Sequence, residues 1–312
     1  MAHHRLPASV ETIHWGYFDA GLRPVLTVAS GDTVELDSVS GNPWNLPGEG
    51  FRVLPELLEV HARVPRELQG HIMTGPIAVE GARPGDMLEV RFLDIRLRQD
   101  WGYNMIRPLV GTLPDDFPEP FQTIIPLDAD RMTGRLPWGP ELPLRPFFGC
   151  IGTAPPPAWG RITSLVPRAH AGNIDLKELV AGTSLFLPVF VDGALLSAGD
   201  GHGCQGDGEV NVTAIETALT GTMELILHRG AGVTWPRAET PTHYITLGID
   251  PDLDRCAERA LREMIALIVD RAGIRREEAY TLCSLAADLR ITQTVNGSKG
   301  VHCMIEKHLV DG

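Results

Sequence analysis

The 312-residue chain has few cysteines, few basic residues and no long uninterrupted hydrophobic run. Its five cysteines form no C-x-x-C pair, and this odd number argues against a disulfide framework. Lysine and arginine number 27 against 40 acidic residues, and the formal net charge of −13 disfavours a nucleic-acid partner. The most apolar stretch, residues 184–198, is interrupted by Pro188 and is too short to span a membrane. The first residues also lack the apolar core of a signal peptide, so we expect a soluble, cytoplasmic protein.

Several common catalytic motifs are missing as well. The sequence has no Gly-x-Ser-x-Gly elbow, no His-Glu-x-x-His zinc motif and no phosphate-loop lysine. The glycine-rich run at residues 199–209 does not match a dinucleotide loop, because it places acids where phosphates would lie. Any catalytic activity must therefore depend on a different set of polar residues.

Glycine (33 residues) and proline (25 residues) are plentiful, which favours short strands and shaped loops over long helices. The succession of strand, Gly-Asp turn and alternating strand occurs over residues 25–36 and again over residues 77–93. The two copies indicate either an internal repeat or one common turn type used twice. In both cases they predict a sandwich or barrel-like core of short antiparallel strands.

Residues 108–157 carry a proline every few positions, which argues against central strands because each proline removes a backbone donor. The aromatic residues between them, such as Phe117, Trp138 and Phe148, argue against a loose polar linker. We predict an ordered, meandering segment that packs on the β core. Its alternative roles are a lid and a subunit contact.

The pattern changes in character along the second half. Residues 185–191 and 194–198 flank Asp192-Gly193 and predict a tight hairpin, and residues 210–218 and 223–227 predict further strands. Asp250 or Asp252 is placed to cap an amphipathic helix that stops at Gly273, and a second helix is expected over residues 276–289. Residues 291–305 predict a terminal hairpin. The sequence thus predicts a β-rich domain over 1–245 and an α+β subdomain over 246–312.

The densest group of polar residues lies between Gly199 and Glu209, where three acids, His202 and Gln205 alternate with five glycines. Glycines let a backbone approach a ligand closely. Aspartate, glutamate and neutral histidine ligate zinc or manganese, and carboxylates also ligate calcium. A carboxylate beside a metal-bound water acts as a general base. The alternative is a solvated glycine turn, but the position between two apolar strands favours a functional site. Cys204 is a conceivable nucleophile, although its acidic neighbours do not activate a thiol.

These residues also carry a family resemblance. The run from Gly199 to Glu209, followed by Thr213-Ala214-Ile215-Glu216, resembles the signature of the acetamidase/formamidase family. Further phrases match in the same order along nearly the whole chain: His71-Ile72-Met73-Thr74-Gly75-Pro76, Gly81-Ala82-x-Pro84-Gly85-Asp86, Pro146-Phe147-Phe148-Gly149, Gly172-Asn173-x-Asp175, Leu187-Pro188-Val189 and Gly193-Ala194-Leu195.

The resemblance implies a β-rich fold, a homodimer or higher homo-oligomer, and hydrolysis of formamide or a short aliphatic amide to carboxylate and ammonia with zinc or calcium. Within that picture, a metal is held by His202 and some of Asp37, His71, Asp200 and Glu209. Asp207 or Glu209 moves the proton, and Asn173 or Gln205 orients the amide. Gly203-Cys204 and His170-Ala171 depart from the family pattern, and the first departure puts the substrate in doubt.

Three alternatives remain open at this point. A β module with clustered acids also binds a cation or a small ligand without turnover. An enzyme with these residues also acts on a different C–N bond, such as a carbamoyl group or a cyclic amide. A metal-free amidase would use Cys204 as its nucleophile.

Overall fold

The computed structural model describes residues 1–311, which form 21 strands, four helices and one short 3-10 turn. In chain order these elements are β1 (His3–Leu6), β2 (Ile13–Trp15), β3 (Tyr17–Phe18), β4 (Leu26–Val28), β5 (Asp32–Asp37), α1 (Pro55–Arg63), β6 (Ile72–Val79), β7 (Met87–Leu97), β8 (Trp101–Ile106), β9 (Phe121–Asp128), β10 (Thr133–Arg135), β11 (Glu141–Pro143), β12 (Phe147–Gly152), the 3-10 turn (Pro157–Trp159), β13 (Ile162–Thr163), β14 (Ala171–Asn173), β15 (Ser184–Pro188), β16 (Leu196–His202), β17 (Leu219–His228), β18 (Arg237–Glu239), β19 (His243–Asp250), α2 (Leu253–Ala272), α3 (Arg276–Ala286), β20 (Asp288–Asn296), β21 (Ser298–Glu306) and α4 (His308–Asp311).

Two large sheets enclose the main core. The nine-stranded sheet has the order β1-β5-β17-β7-β15-β18-β19-β21-β20, and the six-stranded sheet has the order β14-β12-β16-β6-β2 with β4 beside β6. Val90 and Leu225 of the first sheet share one buried cluster with Ile77 and Ile151 of the second. Neither sheet closes on itself within residues 1–311, so the predicted β-rich fold is confirmed as a sandwich rather than a barrel.

The repeated strand-turn-strand phrases connect the two sheets. β4 pairs in parallel with β6 in the six-stranded sheet, whereas β5 and β7 lie on either side of β17 in the nine-stranded sheet. Each Gly-Asp turn therefore carries the chain from one sheet to the other. The two phrases occupy corresponding places in the sandwich.

The predicted hairpin around Asp192-Gly193 is wrong. β15 lies in the nine-stranded sheet and β16 in the six-stranded sheet. Gly193, Ala194 and Leu195 all have positive φ, which turns the chain out of the first sheet and across to the second. The strand predicted over residues 210–218 is also absent, because Val212 has a φ of 82° and the segment is irregular until β17 begins.

The proline-rich segment is ordered, as predicted. Its first part contributes to the antiparallel four-stranded sheet β11-β10-β9-β8, which is a meander. The expectation that it contains no central strand is wrong, because β12 is fully buried between β14 and β16. Pro143 and Pro146 precede this strand but do not interrupt it, so its backbone donors remain available.

The last part of the chain matches its predicted order of elements. Asp252 caps α2 by accepting from the backbone N–H groups of Asp254 and Arg255, and Gly273 ends the helix with a φ of 65°. α3 is shorter than predicted because the chain becomes extended from Ala287, and the terminal hairpin β20–β21 is longer. β19 and β21 extend the nine-stranded sheet past residue 245, and the domain division there stays a prediction. None of the helices within residues 1–311 is long and apolar enough to cross a membrane.

Candidate active site

The glycine-rich run begins as a strand and ends as a loop. Asp200 and His202 belong to the end of β16, and the Oδ2 atom of Asp200 lies 3.5 Å from the Nε2 atom of His202. The neighbouring strand β12 contributes Gly149, where a Cβ atom would lie 2.4 Å from Asp175 Oδ1 and 2.9 Å from Asp200 Oδ2. Only glycine therefore lets these side chains come together above the sheet.

Four carboxylates surround His202. Glu216 Oε1 lies 3.3 Å from His202 Nε2, and Glu209 Oε1 lies 4.0 Å from the same nitrogen. Asp175 Oδ1 lies 4.0 Å from His202 Nδ1 on the other side of the ring. His71, the residue before β6, has its Nε2 atom 3.6 Å from Asp200 Oδ2. We call Asp175, Asp200, His202, Glu209, Glu216 and His71 the acidic cluster.

Burial and crowding shift the protonation of the acidic cluster. Loss of solvent raises the pKa of Glu209 and of Asp175, and raises the pKa of Glu216 to about 8. Burial also opposes ionisation of Asp200, but the charges of His71 and His202 together lower the pKa of this carboxyl. Four carboxyls this close together ionise fully only with compensating positive charge, which the two histidines do not fully supply.

Three of the acids are held in an uncommon backbone conformation. Asp175, Asp200 and Glu209 have φ angles of 48°, 57° and 44°, in the left-handed region. Residues other than glycine adopt this region at a cost, and such strain is concentrated at functional sites. The surrounding strands and loops hold the carboxylates in place against this strain.

Amide side chains fix the positions of the charged groups. Both ends of the Gln205 side chain are hydrogen-bonded within the protein: its Oε1 atom lies 2.9 Å from His202 Nδ1, and its Nε2 atom donates to the Asp175 carbonyl. Asn296, at the end of β20, donates to Asp175 Oδ2 and to the carbonyl of Asn173. Asn173 donates through Nδ2 to the carbonyl of Leu165, while its buried Oδ1 atom has no partner among the described residues.

The acidic cluster forms the base of a cavity of about 420 Å³. Asp175, Asp200, Glu209, Glu216 and His71 reach its surface, and His202 is buried behind them with an exposure of 1%. Asp175 Oδ1 and Glu209 Oε2 are buried without a hydrogen-bond partner among residues 1–311. Such orphaned oxygens mark a place for a cation, a water molecule or a substrate group.

The structure brings together most, but not all, of the site residues predicted from the sequence. Asp200, Glu209, His71 and Asn173 line the cavity, whereas His202 lies behind them and Gln205 contacts His202. Asp37 is buried elsewhere, where its carboxylate lies 2.6 Å from Arg5 Nη2 and accepts from Thr220. Asp207 is exposed and pairs with Lys177 at 2.8 Å. Both carboxylates therefore already have a local partner, which accounts for their place outside the acidic cluster.

Two members of the acidic cluster, Asp175 and Glu216, were not among the predicted site residues. Both stand in phrases that carry the family resemblance, Gly172-Asn173-x-Asp175 and Thr213-Ala214-Ile215-Glu216. The presence of Asp175 and Glu216 in these motifs was therefore the sequence signal that could have identified them as site residues. Cys204, in contrast, was a candidate nucleophile in the sequence. Burial raises the pKa of its thiol, which leaves little thiolate for a nucleophilic role.

A second group of acids and histidine lies outside the cavity. Glu178, Asp207 and His302 have ligand atoms within 4.8 Å of one another. Arg290 Nη1 lies 3.5 Å from Glu178 Oε1, and Lys177 pairs with Asp207. His302 Nε2 lies 3.5 Å from Glu178 Oε2, and its Nδ1 atom lies 2.7 Å from the Thr292 hydroxyl. We call Glu178, Asp207, His302, Lys177 and Arg290 the compensated cluster.

The chain is similar to known proteins over most of its length. The model of the Acetamidase/Formamidase family matches residues 62–164 and 160–305. The acetamidase of Mycolicibacterium smegmatis is 31% identical over an alignment of 230 positions, and the match covers 55% of this chain and 57% of the relative. The chain spans about half the length of the curated relatives it matches.

Solved structures cover the chain almost completely. The crystal structure of an acetamidase from Bacillus halodurans is 33% identical, with a TM-score of 0.84 and coverage of 98% of both chains. That of a predicted acetamidase/formamidase from Thermoanaerobacter tengcongensis is 26% identical, with a TM-score of 0.86 and coverage of 100% of this chain and 98% of the other. These matches confirm the resemblance that the sequence motifs predicted.

Proposed function

The chain belongs to the acetamidase/formamidase family, and from this premise we propose that it hydrolyses the C–N bond of a small linear amide. The products are a carboxylic acid and ammonia, and the acidic cluster is the place of reaction. The observation that carries the proposal is the set of four carboxylates around His202 at the base of a cavity. Three of the four residues are buried, and two of the carboxylate oxygens have no partner within residues 1–311.

The acidic cluster fits a divalent cation. His202, Glu209 and Glu216 would hold it, since their ligand atoms lie within 4.8 Å of one another. Asp200, whose Oδ2 atom lies 3.5 Å from His202 Nε2, would add a further ligand. The imidazole nitrogen favours zinc over calcium, which takes oxygen ligands. A cation bound there would polarise the amide carbonyl and lower the pKa of a water molecule.

The protein groups supply orientation and proton transfer. Asn173 Oδ1 is free to accept a hydrogen bond from the amide nitrogen, whereas both ends of the Gln205 side chain are already used. Glu209 Oε2 is the free carboxylate oxygen, so Glu209 takes a proton from the attacking water and gives it to the departing nitrogen. The new bond joins the water oxygen to the carbonyl carbon, and the bond from this carbon to nitrogen breaks.

Gln205 and Asn296 act as positioning residues in this proposal. Gln205 fixes the ring of His202 through Nδ1, which directs Nε2 towards Asp200 and Glu216. Asn296 holds the carboxylate of Asp175, the acid next to Gly149. Neither residue needs to touch the amide.

The proposal is tested by measuring ammonia release from formamide and acetamide with the purified protein. We expect turnover that is lost on treatment with a metal chelator and restored by zinc more fully than by calcium. Turnover that survives the chelator but is lost with a thiol-blocking reagent would favour Cys204 instead. A protein that binds a cation and releases no ammonia from any amide would be a binding module.

Self-association remains a prediction of the family resemblance. Leu109, Leu113, Phe117 and Phe121 on the proline-rich segment are exposed, and exposed apolar side chains close together favour contact with another chain. We propose a homo-oligomer that uses this segment, and sedimentation of a variant with charged residues at these positions tests it.

A further inference from the structure

The cavity above the acidic cluster is much larger than formamide or acetamide. Its volume is about 420 Å³, whereas one water molecule takes a share of about 30 Å³ in the liquid. Formamide has three heavy atoms and acetamide has four, so either fills on the order of a quarter of the space. Pockets of about 300–1,000 Å³ accommodate ligands of many more atoms.

The wall of the cavity differs from its base. Most of the charged groups are gathered at the base, in the acidic cluster, and Arg66 and Arg107 also line the cavity. Much of the remaining wall consists of apolar and aromatic side chains, six of which are Trp15, Tyr103, Met105, Leu165, Val212 and Val295. These side chains come from five separate loops and strands, so several parts of the chain contribute to the apolar wall. Apolar walls with a polar base suit a ligand that has one reactive polar end and one apolar end.

Val212 adds an independent observation. Its φ of 82° is strongly disfavoured for a β-branched residue, and glycine would relieve this strain. The segment is held on both sides: the backbone N–H of Val212 donates to Glu209, and Asn104 donates to the carbonyls of Thr213 and Ala214. Val212 lies on the cavity wall, between Glu209 and Glu216 in the sequence. Its strained backbone at this place indicates that the apolar side chain has a functional role in the cavity.

We propose that the substrate is a primary amide with a bulky apolar acyl group of about six carbon atoms, such as a medium-length aliphatic chain or an aromatic ring. This inference rests on the proposed amide hydrolysis. The amide group meets the acidic cluster, and the acyl group lies against the wall that includes Trp15, Tyr103, Met105 and Val212. Each methylene buried against this wall raises kcat/KM by up to about fourfold, because its transfer from water is favourable.

The test compares kcat/KM for formamide, acetamide, butanamide, hexanamide and benzamide by ammonia release. We expect kcat/KM for hexanamide to exceed that for acetamide by at least about tenfold, since full burial of four added methylenes would give more. Val212→Gly relieves the strained backbone, so folding is not at risk, and it removes part of the wall. This variant is expected to reduce the ratio of kcat/KM between hexanamide and acetamide by at least about threefold.

The matched control is Val25→Gly, at an exposed valine away from the cavity, which should leave that ratio unchanged. Hydrolysis of formamide and acetamide with no gain, or a loss, for the larger amides would overturn the inference and leave the proposed function standing. An unchanged ratio in Val212→Gly would also overturn the role of the wall. Absence of ammonia from every amide would instead overturn the proposed function, and this inference with it.

Discussion

The acidic cluster and the compensated cluster contain the same kinds of side chain, but they differ in how their charge is balanced. Each has carboxylates and a fully buried histidine within a few ångströms. In the compensated cluster, Lys177 pairs with Asp207 and Arg290 lies beside Glu178. In the acidic cluster, the only cationic neighbours of the four carboxylates within residues 1–311 are His202 and His71. Each cluster has two buried atoms without a hydrogen-bond partner within residues 1–311, so the balance of charge, and not the orphaned atoms, separates them.

This difference teaches that a list of ligand-type residues does not identify a site by itself. Fixed cations neutralise the compensated cluster, so a metal ion would have to displace or approach like charges there. The acidic cluster lacks such cations and opens to the cavity. Carboxyl groups beside a cavity, without a lysine or arginine paired to them, therefore separate the acidic cluster from the compensated cluster.

The largest effect is expected from Glu209→Gln, compared with Asp207→Asn two residues earlier in the same loop. Loss of the carboxylate in the acidic cluster should lower kcat/KM by about a thousandfold, the range of general acid–base catalysis. Asp207→Asn should change kcat/KM by less than about threefold, because Asp207 lies in an exposed ion pair. Ammonia release measures both, and equal losses in the two variants would remove the distinction between the clusters.

A second prediction concerns the packing beneath the acidic cluster. Gly149→Ala places a Cβ atom against Asp175, His202 and Asp200 and should lower kcat/KM by about a hundredfold, as misplacement of reactive groups by about 1 Å does. Gly206→Ala is the matched control, since no atom lies within 4 Å of its added Cβ. Circular dichroism checks that both variants fold, and a fully active Gly149→Ala enzyme would contradict the geometry described.

A third prediction compares the two buried histidines. His202→Asn should lower the metal content of the purified protein by about tenfold or more, whereas His302→Asn should leave it unchanged. Mass spectrometry of the metal in the two variants and in the parent protein provides the measurement. Metal lost from His302→Asn and kept in His202→Asn would place the cation in the compensated cluster.

The smallest effect on activity is expected from Glu178→Gln. Burial raises the pKa of Glu178, but the hydrogen bond and charge of His302, with Lys177, lower it below its usual 4.5. A depressed pKa contributes stability above the unfolded value and loses it as the pH falls below about 4.5. Glu178→Gln should therefore lower the free energy of unfolding by about 1–3 kcal/mol at pH 7, measured in urea, with little change in activity. The difference from the parent protein should shrink below pH 4.5; a difference that grows in acid would contradict the assigned sign.

Local patterns predicted the elements that local physics determines. Asp252 and Gly273 fixed the ends of α2, and Asn296-Gly297 fixed the turn of the last hairpin. The connection at Asp192-Gly193 was misread because a turn signal does not tell whether the following strand returns to its own sheet. β15 and β16 find their partners among strands far away in the sequence, such as β7 and β6. Pairings of this kind depend on the whole sandwich.

The site was predictable to the extent that its residues are consecutive. Asp200, His202 and Glu209 were found because they crowd one short run. Asp175 and Glu216 come from other segments, and only folding brings them within reach of His202. Asp207 was included because it stands in the run, although its side chain turns towards Lys177. Spacing in the sequence shows which acids are close along the chain, but the tertiary structure of the sandwich determines which acids line the same cavity.

The hydrogen bonds from Asn296 to Asp175 and Asn173 also bear on how the protein is made. A ribosome delivers the residues of the acidic cluster well before it delivers β20. Until residue 296 has emerged and docked, Asp175 lacks the donor that fixes its carboxylate. A nascent chain that already contains all four acids is therefore expected to be inactive, and catalytic competence should appear only when the terminal hairpin takes its place.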